Sequence, residues 1–181
     1  MSTFIRCTLS GLVLLAVSAV APSSFAQDKP VKHTSAPADT SVAINGKNIA
    51  IKYSAPSTYG RKIYGELVPY GKVWRAGANS ATALTTEADL NFNGLKVPAG
   101  SYTIYALPGD TDWQLIVNKQ TGQWGTVYDQ AQDLGRVKMK ITKVDAPVET
   151  YKMTLASAGG NKGTLTLAWE NTVASAPFTV Q

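Results

Sequence analysis

The chain has 181 residues, with 17 lysines and arginines against 12 aspartates and glutamates, a formal net charge of +5, one cysteine and one histidine. The length suits a single domain, and basic residues spread without a dense cluster argue against a nucleic-acid partner. One cysteine and one histidine are too few for a disulfide framework or a Cys/His zinc centre.

Residues 1–26 place Arg6 ahead of an apolar run from Leu9 to Ala21, followed by small residues ending at Ala26. That order is the pattern of a secretory signal peptide, with cleavage expected between Ala26 and Gln27. The run is shorter than the ~20 residues a spanning helix needs, so no transmembrane segment is expected once it is removed. Cys7 precedes the run rather than following it, which argues against lipid anchoring, and its loss leaves no thiol. A periplasmic or secreted location follows as the expectation. Residues 27–43, rich in Pro, Ser, Thr, Asp and Lys, read as a disordered leader. His33, inside it, reads as a solvated residue.

Residues 44–181 read as one β-rich domain, because apolar residues alternate with polar ones and Gly or Pro turns interrupt them about every ten residues. Leu84, Leu90 and Phe92 fall on one face, with Thr85, Glu87, Asp89 and Asn91 on the other. Asn93-Gly94 predicts a two-residue hairpin turn, since both its residues tolerate positive φ. The next two runs, through Tyr102 to Leu107 and Trp113 to Asn118, carry apolar residues on both faces and read as central strands. One short helix is allowed near "YDQAQDLG". In "RVKMKITKV", Val137, Met139 and Ile141 oppose Arg136, Lys138 and Lys140, the pattern of a solvated or edge strand, with a basic binding surface as the functional alternative. About eight or nine strands are expected in all, an all-β antiparallel two-sheet sandwich or jelly-roll-like fold.

Specific catalytic motifs are missing. "GELVPYGK" is not a phosphate loop, because Lys72 is followed by Val73 and no helix pattern comes after it. There is no Gly-x-Ser-x-Gly elbow, and Asp110 and Asp112 alone do not make a calcium loop. No metal and no cofactor is expected. What remains are two runs of aromatic and polar residues: Arg61, Tyr70, Trp74, Arg75 and Asn79 in the first, Lys119, Trp124 and Tyr128 in the second. Guanidinium forks beside aromatic rings suit a carboxylate, a phosphate or a sugar. The same residues have structural readings: Trp74 as core, Arg75 paired with Glu66, Gly77 in a positive-φ turn, Asn79 satisfying backbone.

The runs "GRKIYGELVPYGKVWRAGANSATAL", "VPAGSYTIYALPG", "DWQLIVNK", "GQWGTVYD" and "LTLAWENT" resemble, in order from about Ser54 to Val180, the bacterial family catalogued as domain of unknown function 2911. The resemblance falls on Gly60, Arg61, Trp74, Arg75, Gly77, Ala78, Asn79, Pro98, Gly100, Tyr102, Asn118, Trp124 and Gly125. It implies exported proteins with a compact β-rich domain and carries no established activity. Three functional expectations stand side by side. The first is a non-catalytic module binding a polar small molecule or sugar, with Arg75 and Asn79 as donors and Tyr70, Trp74 and Trp124 as walls. The second is a hydrolase using Glu66 and Asp129 on a glycoside-like substrate. The third is a structural or assembly partner of the cell envelope.

Overall fold

A computed structural model of the chain describes residues 34–181. The segment expected to be a signal peptide, its expected cleavage point and His33 lie outside the described residues. Nine strands run in chain order: β1 Ala36–Ile44, β2 Lys47–Ala55, β3 Thr82–Thr86, β4 Leu90–Phe92, β5 Leu95–Val97, β6 Gly100–Leu107, β7 Trp113–Asn118, β8 Asp133–Ser157 and β9 Lys162–Val180. Among the described residues the only helical turn is a 3-10 turn at Gln130–Gln132, within the run where a short helix was allowed. The fold is all-β, as the alternating pattern predicts.

Every strand pair is antiparallel, and the pairs join in one order, β1-β2-β3-β6-β7-β8-β9-β4-β5. Where two separate sheets were expected, one continuous nine-stranded sheet is found. The joint is β8, whose 25 residues pair first with β7 through Met139 and then with β9 from Lys140 onward. Its register against β9 shifts between Lys143 and Val148 and again between Val148 and Lys152. Such irregularities bend a strand and increase its twist. The second half of β8 thereby comes against the first strands of the sheet: the Leu155 amide donates to the Thr40 hydroxyl of β1, and the Met153 amide to the Tyr53 hydroxyl of β2.

The structured chain begins earlier than the sequence suggests. Residues 36–43, assigned above to a disordered leader, form β1 and pair with β2 from Ala36 opposite Ala55 to Ile44 opposite Lys47. Its half-buried positions are Ala38, Thr40 and Val42, alternating with exposed Pro37, Asp39, Ser41 and Ala43. Small and polar residues suffice there because the strand is at the end of the order, with only one ladder partner.

The turn at Asn93-Gly94 is as expected, with φ of 48° and 100°. Strands β6 and β7 are buried on both faces. On one side Ile104, Leu115 and Val117 enter the main core. On the other, Tyr105 lies under the segment from Lys119 to Asp129, donating its hydroxyl to the Val127 carbonyl and meeting the Tyr128 ring edge-on at 5.0 Å. In β8, Val137 and Met139 are buried, whereas Arg136, Lys138 and Lys140 face out.

Candidate functional site

The long connection from β2 to β3, residues 56–81, has no strand of its own and is anchored by backbone pairs to distant elements. Trp74 exchanges two 2.8 Å hydrogen bonds with Ala106 of β6, and the Ala78 amide donates to the Ser54 carbonyl. Ser57 bridges to Thr150 of β8. These ties explain the glycine in "WRAGAN". A Cβ on Gly77 would fall 2.9 Å from the Ser54 carbonyl oxygen, so close backbone approach is what requires glycine there. The positive-φ turn anticipated at Gly77 lies on its neighbours instead, at Ala76 (50°) and Asn79 (58°). Left-handed backbone at a residue with a side chain is held only where the surroundings enforce it, and here the Ala76 carbonyl accepts from the buried Thr82 hydroxyl.

Trp74 and Arg75 leave this turn in different environments. The Trp74 indole donates to the Gly77 carbonyl at 3.1 Å and stacks on Trp169 of β9, centroids 5.9 Å apart and planes 17° apart. Tyr64 and Tyr151 close edge-on around that pair. Arg75 instead runs along Gly125: a Cβ on that glycine would fall 2.0 Å from the Arg75 Cδ and 2.5 Å from the Asn79 carbonyl oxygen. The Gly125 amide holds the two loops together by donating to that same carbonyl. The Arg75 Nε is buried with no partner among the described residues. Arg75 makes no hydrogen bond or ion pair among the described residues, and its burial lowers the guanidinium pKa from the ordinary value. The pairing with Glu66 considered above does not form, as Glu66 lies 3.5 Å from Lys62 on the exposed surface.

Arg75 and Trp74 line a cavity of about 260 Å³ whose other walls include Arg61, Tyr59, Leu67 and Trp169. Arg61 is engaged: its Nε donates to the Thr58 carbonyl at 2.9 Å, its Nη2 to the Ser57 carbonyl at 2.8 Å, and its guanidinium carbon is 5.7 Å from the Tyr59 ring centroid. Glu149 of β8 braces this arm from behind. Its carboxylate accepts from the Thr58 hydroxyl and from the Tyr59 amide, and its carbonyl accepts from the Trp169 indole. The Thr58 hydroxyl first, then the Tyr59 amide, hold the Glu149 carboxyl below the usual carboxylate range. Among the described residues no aspartate or glutamate lines the cavity.

Of the residues singled out from the sequence, Arg61, Trp74 and Arg75 meet in this cavity. Asn79 is not among the lining residues, and its backbone carbonyl accepts from the Gly125 amide. Tyr70 is 39% exposed, with its ring over Gly65, outside the cavity lining. Trp124 is 56% exposed and bridges through its backbone to Ser80. The Lys119 amide donates to the Gln132 carbonyl, and its side chain is exposed. The Tyr128 hydroxyl donates to Asp133 at 2.6 Å and accepts from Arg136 at 2.7 Å; burial, then Asp133, push its pKa up to about 12. Asp129 caps the 3-10 turn through the Ala131 amide. Neither Glu66 nor Asp129 lines the cavity. Trp169, Leu67 and Ser35 line it without having been singled out. Trp169 is spaced for the buried face of a strand, and nothing in its own run distinguishes it from core.

Fold and site together define an all-β protein with one rolled nine-stranded sheet and an arginine-lined aromatic cavity beneath its longest connection. The chain belongs to the family described as protein of unknown function (DUF2911), whose profile matches residues 35–178. The match starts at the edge of β1, in agreement with a folded domain that includes that strand. Comparison with curated proteins and with solved structures finds no match.

Proposed function

We propose that this protein is an exported, non-catalytic binding module for a small polar or anionic molecule, received in the cavity between the 57–61 arm and the "WRAGAN" turn. The observation that carries the reading is Arg75, a partly desolvated cation that lines a cavity with no partner for its charge among the described residues. A buried charge is normally paired, because removing it from water is costly. A ligand anion would supply that pairing. Export rests on the pattern of residues 1–26. The test is a thermal-shift survey of small anions and neutral sugars on wild type and R75M. Stabilisation of the wild type that R75M loses supports the reading, and a library in which no compound separates the two proteins rejects it.

A second reading, a docking role in the cell envelope, draws on Trp124 and Val127. Both are large apolar residues exposed by about half, in one loop tied by the Val127 amide to the Trp124 carbonyl. W124A would then weaken partner capture without altering the cavity.

A further inference from the structure

The cavity also carries information about the kind of molecule it would hold. Resting on the binding reading above, we infer that its ligand is an amphipathic carboxylate: one anionic head on a single planar or aliphatic body, in preference to a sugar or a phosphate ester. The head is argued from the two guanidinium groups. Arg61 spends Nε and Nη2 on the carbonyls of Thr58 and Ser57, whereas Arg75 has its Nε walled in near Gly125 and makes no bond among the described residues. One unspent fork offers two parallel N–H donors, the geometry a carboxylate accepts. A phosphate ester, with two charges and three free oxygens, would leave acceptors without donors.

The body is argued from the walls. Trp74, Leu67 and Tyr59 supply accessible apolar or aromatic surface, while Trp169, Val68 and Pro56, themselves almost fully buried, add only their edges to the lining. Each sugar hydroxyl both donates and accepts, so sugars call for amide and carboxylate side chains. Among the described residues no Asn, Gln, Asp or Glu side chain lines the cavity; its uncharged side-chain polar groups are the hydroxyls of Ser35, Ser57 and Tyr59 and the indole N–H groups of Trp74 and Trp169, which are spent on the carbonyls of Gly77 and Glu149. A buried hydroxyl left unmatched is unfavourable, and a ring or short chain is not. The volume of about 260 Å³ lies at or below the low end of small-molecule sites, which suits one ring with a carboxylate arm.

The deciding experiment is calorimetric titration of the purified protein with phenylacetate and hexanoate, against phenylacetamide, glucose and glucose 6-phosphate as probes. Both carboxylates are expected to bind, to quench or shift the emission of Trp74 and Trp169, and to exceed phenylacetamide at least tenfold in affinity. R75M should lose that margin, and R75K, which keeps the charge without the fork, should retain only part of it. W124A should bind as wild type does. If R75M does not fold, the acid and amide pair on wild type still decides the point. Glucose or glucose 6-phosphate binding more tightly than either carboxylate, or phenylacetamide matching phenylacetate, overturns the ligand class while leaving a binding module in place. Absence of binding by all five probes also overturns it, and the broader thermal-shift survey then judges the binding reading on its own.

Discussion

Arg75→Met is the substitution that separates a cation kept for a ligand from one kept for the fold. Methionine preserves an unbranched stem along Gly125 and removes only the guanidinium. In the structure that group has no hydrogen bond or ion pair among the described residues, and burial lowers its pKa, so the charge is a net expense to the unliganded fold. Removing it should leave stability within ~0.5 kcal/mol of wild type or raise it slightly, the range of substitutions that break no partner. Arg75→Ala adds a packing loss of two methylene groups, ~1.6 kcal/mol if they were fully buried at ~0.8 kcal/mol each. Arg75 is only partly buried, so about half of that, ~0.8 kcal/mol, is expected. Urea unfolding followed by tryptophan fluorescence reads both, because Trp74, Trp113 and Trp169 belong to or pack on the core. Breaking a buried ion pair costs ~3–5 kcal/mol. A loss of that size in R75M would show that Arg75 has a structural partner, and the cavity would lose its argument for an anion.

Other outcomes follow from single contacts. Glu149 has a depressed pKa in the fold, so it contributes stability above the ordinary carboxylate range that is lost as pH falls through the depressed value. E149Q should therefore be less stable than wild type near neutrality and converge with it in acid, as melting temperature against pH would show; a difference that does not change with pH contradicts this. Tyr128, with its pKa pushed up to about 12, contributes stability below the ordinary tyrosine value of ~10 that is lost as pH rises from there to about 12. The gap between wild type and Y128F should close over that interval, and a gap that widens would reverse the assignment. Trp169 is 1% exposed, so W169A should lose ~3–5 kcal/mol in urea unfolding, whereas W124A, 56% exposed, should stay within ~0.5 kcal/mol. Equal losses for the two would mean that Trp124 is covered in solution.

The same local signal explains both a correct boundary and a wrong one. Asn93-Gly94 marks a hairpin because Phe92 and Leu95 flank it with recognisable strands. Asn45-Gly46 is the identical dipeptide, with φ of 53° and 74°, and it joins β1 to β2 in the same way. It does not stand out in the sequence because the strand before it, Ala36–Ile44, ends in one large buried residue and otherwise carries small, polar or half-buried ones. Composition measures how much apolar surface a segment can bury alone. It does not register a strand whose main-chain bonds to β2 and whose Thr40 contact with β8 do the ordering. Turn chemistry at Asn45-Gly46 marks the boundary that hydrophobic content does not.

The cavity was legible to a similar half. Arg61, Trp74 and Arg75 stood out because each is a large side chain with directional chemistry inside a run short of strand pattern. Their grouping with Asn79, Tyr70 and Trp124 rested on closeness in sequence or on aromatic content, and space sorts them differently. The turn at Ala76 to Asn79 sends Trp74 onto Trp169 and Arg75 along Gly125. Trp124, next to that glycine, keeps its ring outside the cavity lining. Trp169 joins the lining by stacking on Trp74, while Glu149 braces the 57–61 arm, and both belong to strands about ninety residues downstream. They reach the site because β8 bends at its two register shifts and carries β9 with it. No periodicity within either strand encodes that bend as a site. Glu149 in particular looks like one more exposed carboxylate in an alternating run, and only its bonds to Thr58 and Tyr59 show that it sets where the arginine arm stands.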